Sequence, residues 1–242
     1  MADDIELSVV LPAYEEAESL KQVLPTLKET AGKLSAAYEI LVIDSREPLD
    51  ATPQICAELG VIHVPCDGKD SFGNAVRTGI ARSQGKWVVA MDADGSHNPR
   101  SLPQLWAERH DFDLVIGSRY VEGGRTDNPW ILIAMSQFVN IVFRMVLNLE
   151  CYDVSNSFRL YRGADIRGLH LVCNHFDIVE EILVKLPRLR SDFRIKEVPV
   201  TFEKRKAGVT KRRLFLFALG YLVTLYRLRR LQQSTPLPGA AN

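Results

Sequence analysis

KWVVAMDADGSHNP, residues 86–99, decides how the chain is read. An apolar run ends in Asp92-Ala93-Asp94, then a Ser-His pair and Pro99. Alternate side chains of an extended segment share one side, so Asp92 and Asp94 face one way and Ala93 the other. Two carboxylates that close repel each other unless a cation or a proton lies between them. Two readings stay open on these residues. The pair holds a hard divalent ion with oxygen ligands, of the kind that also grips substrate phosphates. Alternatively, Asp94-Gly95 makes a turn and Asp92 caps a helix starting near Pro99. His97 is expected as a structural neighbour of the pair rather than a ligand.

Outward from this stretch, short apolar runs alternate with helical patterns. ELSVVLP at 6–12, YEILVID at 38–44, GVIHVP at 60–65, KWVVAMD at 86–92 and FDLVIGS at 112–118 read as strands. Residues 15–34 and 73–83 carry helical spacing. This βαβα rhythm predicts an α/β domain with a mainly parallel sheet covered by helices on both faces. Ligands of such sheets sit beyond the carboxyl ends of the strands. The chemistry is therefore expected at Pro12-Ala13-Tyr14-Glu15, Asp44, Asp92-Ala93-Asp94 and Ser118-Arg119. The second half is less regular: a long helix near 131–148, a short SFRLYR segment, a helix ending near Leu186, and extended FRIKEVPVTFEKR at 193–205. Three parts are predicted: a domain over 1–210, a basic helix over 211–231, and a disordered tail over 232–242.

The 242 residues are 46% apolar and 25% charged, ordinary values for a chain with a real core. The formal charge is zero but uneven: 14 Lys/Arg against 3 Asp/Glu between Lys185 and Arg230, a local +11, leave −11 elsewhere. A basic segment suits an anionic partner such as a phosphate or a membrane surface. Interleaved stacking aromatics are missing from it, which argues against nucleic acid. Cys56, Cys66, Cys151 and Cys173 are scattered without metal-ligand spacing and read as reduced thiols. The acidic start MADDIELS has no signal-peptide pattern, so a cytoplasmic chain is expected.

Two stretches invite a membrane test. Residues 130–147 hold one charge, Arg144, but Ser136, Gln137, Asn140 and Arg144 form a polar stripe at helical spacing. An amphipathic helix over a cleft is expected there rather than a span. LFLFALGYLVTLY at 214–226, thirteen residues framed by cations, is too short to cross a bilayer. It suits a helix at the inner membrane face, or one packed on the domain or against a second copy in a homodimer.

LPAYEEAESL, FGNAVRTGIARSQG, MDADGSHNP, GSRYVEGG, SNSFRLYR and EVPVTFEKRKAGVTK follow one another in the order seen in a known family. Over roughly residues 6–215 the chain resembles the family 2 glycosyltransferases of GT-A fold, with the nearest look to the dolichol-phosphate mannose synthases and other polyprenyl-phosphate glycosyltransferases. The resemblance implies a GDP- or UDP-sugar donor, Mg2+ or Mn2+, and inverting transfer onto a polyprenyl phosphate. It implies that Pro12, Tyr14, Glu15, Gly73 and Ala93 line the nucleotide-sugar pocket, with Asp44 near the base. Asp92 and Asp94 would hold the metal and diphosphate, Asp94 as a catalytic residue. Arg119 would face the acceptor phosphate, with Ser136 on the acceptor side. Arg205 and Lys211 would close over the diphosphate, and Glu181 or its neighbour Glu180 would lie near the sugar. A phosphate acceptor is already anionic, so positioning by cations matters more than a strong general base. Three stretches depart from the family pattern. DSREPLDAT replaces a run like DDGSPDGT after the second strand, leaving the nucleobase open. No basic residue lies between Trp130 and Arg144, which puts acceptor binding on Arg119, helped by Arg125. FDIVEE lacks the usual Gln. A soluble small-molecule acceptor, or a non-catalytic nucleotide-sugar binder, are the alternatives.

Overall fold

The computed structural model describes residues 4–203, 223–230 and 232. Arg205, Lys211, most of the basic helix expected at 211–231 and the tail lie outside the described residues.

The first strand, β1 (Leu7–Pro12), is buried on both faces over Leu7–Leu11, as suits a central strand that is apolar but for Ser8, whose hydroxyl donates to Glu39 Oε1 at 2.6 Å. It pairs in parallel with β2 (Tyr38–Asp44) on one side and β4 (Trp87–Ala90) on the other, while β3 (Ile62–Pro65) extends the β2 edge. The helix α1 (Ala17–Leu34) returns the chain from β1, and α2 (Thr52–Leu59) from β2. Leu20, Val23, Leu24 and Leu27 sit three and four apart in α1, so one face of it is apolar and buried. The helix α3 (Phe72–Arg82) then carries the chain back to β4. A 3-10 turn at Pro99–Ser101 leads into α4 (Leu102–Ala107) and β5 (Leu114–Ser118).

The sequence rhythm does not mark the order that follows. A two-residue strand β6 (Arg125–Thr126) precedes the long helix α5 (Trp130–Leu147). The SFRLYR stretch becomes β7 (Arg159–Arg162), antiparallel to both β4 and β5 and lying between them. Short α6 (Gly163–Arg167) and α7 (Asp177–Lys185) follow. The extended run at 193–205 splits at Val200 into β8 (Ile195–Pro199), parallel to β5, and β9 (Thr201–Phe202), parallel to β6. The main sheet has the order β3-β2-β1-β4-β7-β5-β8. One core packs α1, α2 and α4 on one face through Leu20, Leu24, Ile55 and Leu105. The other packs α3, α5, α6 and α7 through Val76, Phe143, Ile166 and Ile182, and takes in Leu228 of the segment 223–230. The predicted doubly covered, mainly parallel sheet is observed.

Candidate active site

Strand order runs outward from β1 to β3 and then jumps back to β4, so the winding of the sheet reverses between β1 and β4, which are parallel neighbours. Such a switch point leaves a crevice at the strand ends. A cavity lies there, lined by Pro12, Phe72, Ala90, Asp92, Ser157 and Tyr161 among others.

After β4 the chain turns sharply. Gly95 takes a left-handed φ of 79°, and Oδ1 of Asp94 accepts from Ser96 N–H at 2.9 Å and Ser96 Oγ–H at 2.6 Å. The turn expected at Asp94-Gly95 is present. The cap expected from Asp92 is not, because Asn98 Oδ1 accepts from Arg100 N–H instead. Asp92 is fixed by other partners: its N–H donates to His97 Nδ1 at 2.9 Å, and its Oδ1 accepts from Ser157 Oγ–H at 2.7 Å. Both carboxylates are half-buried and Ala93 between them is buried, although β4 ends at Ala90 and Ala93–Asp94 form a turn rather than the extended segment expected there. Among the described residues no cluster of three or more His, Cys, Asp or Glu forms a closed metal cage. A two-carboxylate donor set of hard oxygens with open positions fits Mg2+ or Mn2+, which completes its shell with water and substrate phosphates.

At the end of β1, Ala13 N–H bonds Ile43 O at 2.8 Å, and Tyr14 and Glu15 project outward, Tyr14 being 56% exposed. Glu15 has φ 55°, a left-handed backbone uncommon for a side-chain-bearing residue. Asp44, at the end of β2, is buried and uses both oxygens internally. Its Oδ1 accepts from Ser45 N–H at 2.7 Å, and its Oδ2 meets His63 Nε2 at 3.1 Å. Asp50 accepts from the N–H groups of Ala17 and Thr52, each at 2.9 Å, capping the first turns of α1 and α2 at once. Burial pushes its carboxyl up, but the Thr52 hydroxyl and these two N–H groups outweigh that and hold it below the ordinary range. The departing DSREPLDAT loop is thus pinned at both ends.

Three expected site residues have other partners. Gly73 is buried, with its N–H bonded to Asn174 O at 2.9 Å, and a Cβ there would meet Cys173 O at 2.3 Å. Glycine is required by this backbone approach, so Gly73 packs the 173–174 loop rather than facing a nucleotide. Glu181 is fully buried and accepts from the N–H groups of Val172 and Cys173 and from Lys185 Nζ at 2.6 Å. Burial raises its carboxyl, yet Lys185 and these N–H groups outweigh burial and hold it below the ordinary range. A carboxylate so occupied builds its loop rather than facing the sugar. Arg119 forms a two-pronged ion pair with Asp153, Nε to Oδ2 at 2.8 Å and Nη2 to Oδ1 at 2.6 Å, and also bonds Ser155 Oγ at 2.9 Å. Its side chain is only 9% exposed, so its charge is largely spent on Asp153. Arg125, on β6, is exposed.

Helix α5 reverses the usual arrangement. Most of its polar stripe points inward, Gln137 being exposed: Asn140 is buried and accepts from Val154 N–H at 3.2 Å, and Arg144 stacks on Tyr152 at 4.2 Å. Ser136, the expected acceptor-side residue, is half-buried on the same helix. Trp130, Ile131, Phe138, Ile141 and Met145 lie outward, at 51–78% exposure. The helix expected over a cleft does rest on the 152–155 loop, but its apolar side is the uncovered one.

Asp153 and His63 were not singled out from the sequence, whereas Asn156 and Ser157 fall within the SNSFRLYR motif and Asp50 within the departing loop after the second strand, without a role of their own. The four cysteines are free and buried. Burial pushes the thiols of Cys56 and Cys151 up to about 11 and about 12, which leaves them inert.

A mainly parallel sheet with its crevice at the switch point and a paired-carboxylate turn defines a nucleotide-dependent transferase scaffold of GT-A type. The chain belongs to glycosyl transferase family 2, whose family model matches residues 8–181. It is 31% identical to the polyprenol monophosphomannose synthase of Mycolicibacterium smegmatis over 84% of this chain and 79% of that protein. It is 33% identical to the undecaprenyl-phosphate mannosyltransferase of Micrococcus luteus over 84% and 85% of the two chains. The fold also matches glucosyl-3-phosphoglycerate synthase from Mycobacterium tuberculosis, solved in complex with Mn2+, UDP and glucosyl-3-phosphoglycerate. That match has a TM-score of 0.70 and 17% identity, over 97% of this chain and 81% of that one.

Proposed function

We propose that the protein transfers a sugar from a nucleoside-diphosphate donor, held in the crevice between β1 and β4, onto a polyprenyl-type lipid phosphate at a membrane surface. Asp92 and Asp94 hold Mg2+ or Mn2+ together with the donor's diphosphate. When bound, the cation supplies the charge neutralisation that makes a diphosphate a better leaving group. Pro12, Tyr14 and Glu15 line the nucleotide side, and Ala93, being small, leaves room between the carboxylates. Asp44 braces the base-side loop through its bonds to Ser45 and His63. Arg125 and Arg119 border the acceptor phosphate, with Arg119 acting mainly by ordering the 153–155 loop. Arg205 and Lys211 complete the cationic side of the same reading.

The observation that carries the lipid assignment is helix α5. Its eighteen residues span about 27 Å at 1.5 Å per residue. Phe143 and Leu147 anchor it in the core while its large apolar side chains face out. A helix so anchored lies along the domain, with an apolar face suited to the headgroup–acyl boundary. It rests on the loop whose Asp153 fixes Arg119, so a lipid carried on that face reaches the acceptor side. The relatives named for polyprenol and undecaprenyl phosphate support the same acceptor class.

The test is sugar transfer with Mn2+ from GDP- and UDP-sugars to polyprenyl phosphate in vesicles, and to soluble phosphate acceptors. Transfer to the lipid is expected, and Asp94→Asn abolishes both turnover and EDTA-sensitive donor binding by calorimetry. Transfer confined to soluble acceptors would remove the lipid assignment. Donor binding indifferent to both EDTA and the substitution would remove the metal assignment.

A further inference from the structure

His97 is 1% exposed and sits beneath the Asp92–Asp94 turn. The direction of each hydrogen bond around it is forced. The backbone N–H of Asp92 can only donate, so His97 Nδ1 accepts and carries no proton. The ring proton is therefore on Nε2, which donates to Asn156 Oδ1 at 2.7 Å. Asn156 turns its amide Nδ2 to the backbone oxygen of Gly117 in β5, at 2.5 Å, and that oxygen can only accept. Both ends of the chain of bonds are backbone groups of single polarity, which fixes the imidazole tautomer and the amide orientation together. The ring is held flat against Phe158, with centroids 5.2 Å apart, and edge-on to Phe202 at 5.4 Å. The neighbouring Ser157 hydroxyl donates to Asp92 Oδ1 at 2.7 Å. Asp92 is thus gripped at its main chain by His97 and at one carboxylate oxygen by Ser157.

We propose that His97, Asn156 and Ser157 are positioning residues for Asp92, fixing its backbone and its Oδ1 so that Oδ2 is aimed at the divalent cation before that cation arrives. The proposal rests on the reading of Asp92 and Asp94 as the metal-holding pair. Groups that orient a ligand from behind are worth about 10–100-fold in metal affinity, because the ligand's rotational freedom is already spent. The frame also ties the end of β4 to β5 and to the segment entering β7, so one network sets the metal-facing oxygen and the spacing of three strand ends.

The experiment is titration of the full chain with Mn2+, read from the electron paramagnetic resonance of free Mn2+, alongside the melting temperature of each variant. Ser157→Ala is expected to weaken Mn2+ binding by about 10–100-fold with little change in melting temperature. Ser157→Thr, which keeps the hydroxyl, restores binding. His97→Phe keeps the ring stack but removes both nitrogens, and is expected to weaken binding as well. Should that variant not fold, with the Asp92 N–H left bare in the interior, the Ser157 pair decides alone. Wild-type affinity in Ser157→Ala, or equal losses in the Ala and Thr variants, would overturn the frame. A wild-type chain that binds no Mn2+ at all would overturn the metal reading beneath it instead.

Discussion

Glu15 sits where a glycine would be at ease: its φ of 55° is left-handed, and its side chain is solvent-exposed beside the crevice. Such a backbone costs a residue with a Cβ about 1 kcal/mol or more, and it persists where surroundings or function hold it. Glu15→Gly should therefore leave the fold as stable as before or more stable by up to about 1 kcal/mol in urea unfolding. The same variant should bind nucleoside diphosphate more weakly in calorimetry, since the exposed carboxylate is the part lost. Unchanged nucleotide affinity would make the strain a feature of the turn alone. Residues were legible in proportion to how locally they are determined. Asp92, Asp94, Tyr14 and Glu15 come just after the apolar runs that become β4 and β1, and the ends of those runs locate them. Asp153 and Ser157 meet Arg119 and Asp92 across 34 and 65 positions of chain, and no spacing within one segment encodes such a pairing.

Helix α7 carries two adjacent glutamates with opposite fates, decided by its packing. Glu181 turns to the N–H groups of the 172–173 loop and to Lys185, and stays charged. Glu180 is buried with its Oε2 unpartnered among the described residues. Burial pushes its carboxyl up to about 8, an effect that the nearby Arg159 only partly offsets. A free glutamate titrates near 4.3, so the folded state keeps a proton that the unfolded state gives up. Stability linked to Glu180 is therefore full below about pH 4.3 and lost as pH rises toward about 8. Glu180→Gln cannot ionise, so its stability relative to wild type should rise from about pH 5 to about pH 8, read as melting temperature across that range. A gap that stays constant with pH would place the proton elsewhere. At this scale the sequence was most legible where one period runs cleanly. The end of β2 at Asp44 and the start of α5 near Trp130 agree with the reading to within a residue. Strand β7 was not recognised as part of the sheet, because its antiparallel place between β4 and β5 is set by partners far along the chain.

On the scale of the molecule, donor and acceptor chemistry divide between two surfaces. The crevice at the β1–β4 switch point is walled by apolar side chains of the sheet with Asp92 and Ser157 at it, whereas α5 turns Phe138, Ile141 and Met145 outward. Phe138→Ser with Met145→Ser should leave the melting temperature nearly unchanged, because exposed side chains contribute little to folding. The pair should reduce co-sedimentation with phospholipid vesicles and raise KM for a lipid phosphate while leaving soluble nucleotide binding intact. Equal vesicle binding in the two proteins would mean that this face meets something other than lipid. Family and fold class were readable because six quoted motifs follow one another in order along the chain, most of them at or next to strand ends. The outward apolar face was not, since a polar stripe says that a helix has two sides but not which of them meets the domain. The reversed strand β7 has a consequence for chain length. Because it runs against its neighbours, Ile116 of β5 stands beside Arg159 of β7, and everything between them, from Arg119 through α5 to Phe158, leaves and re-enters the sheet at the same end of two neighbouring strands. A stretch with adjoining ends can be lengthened or shortened between Arg119 and Tyr152 without moving either strand, provided that Asn156 and Ser157, which hold the Asp92 turn, come back to their places.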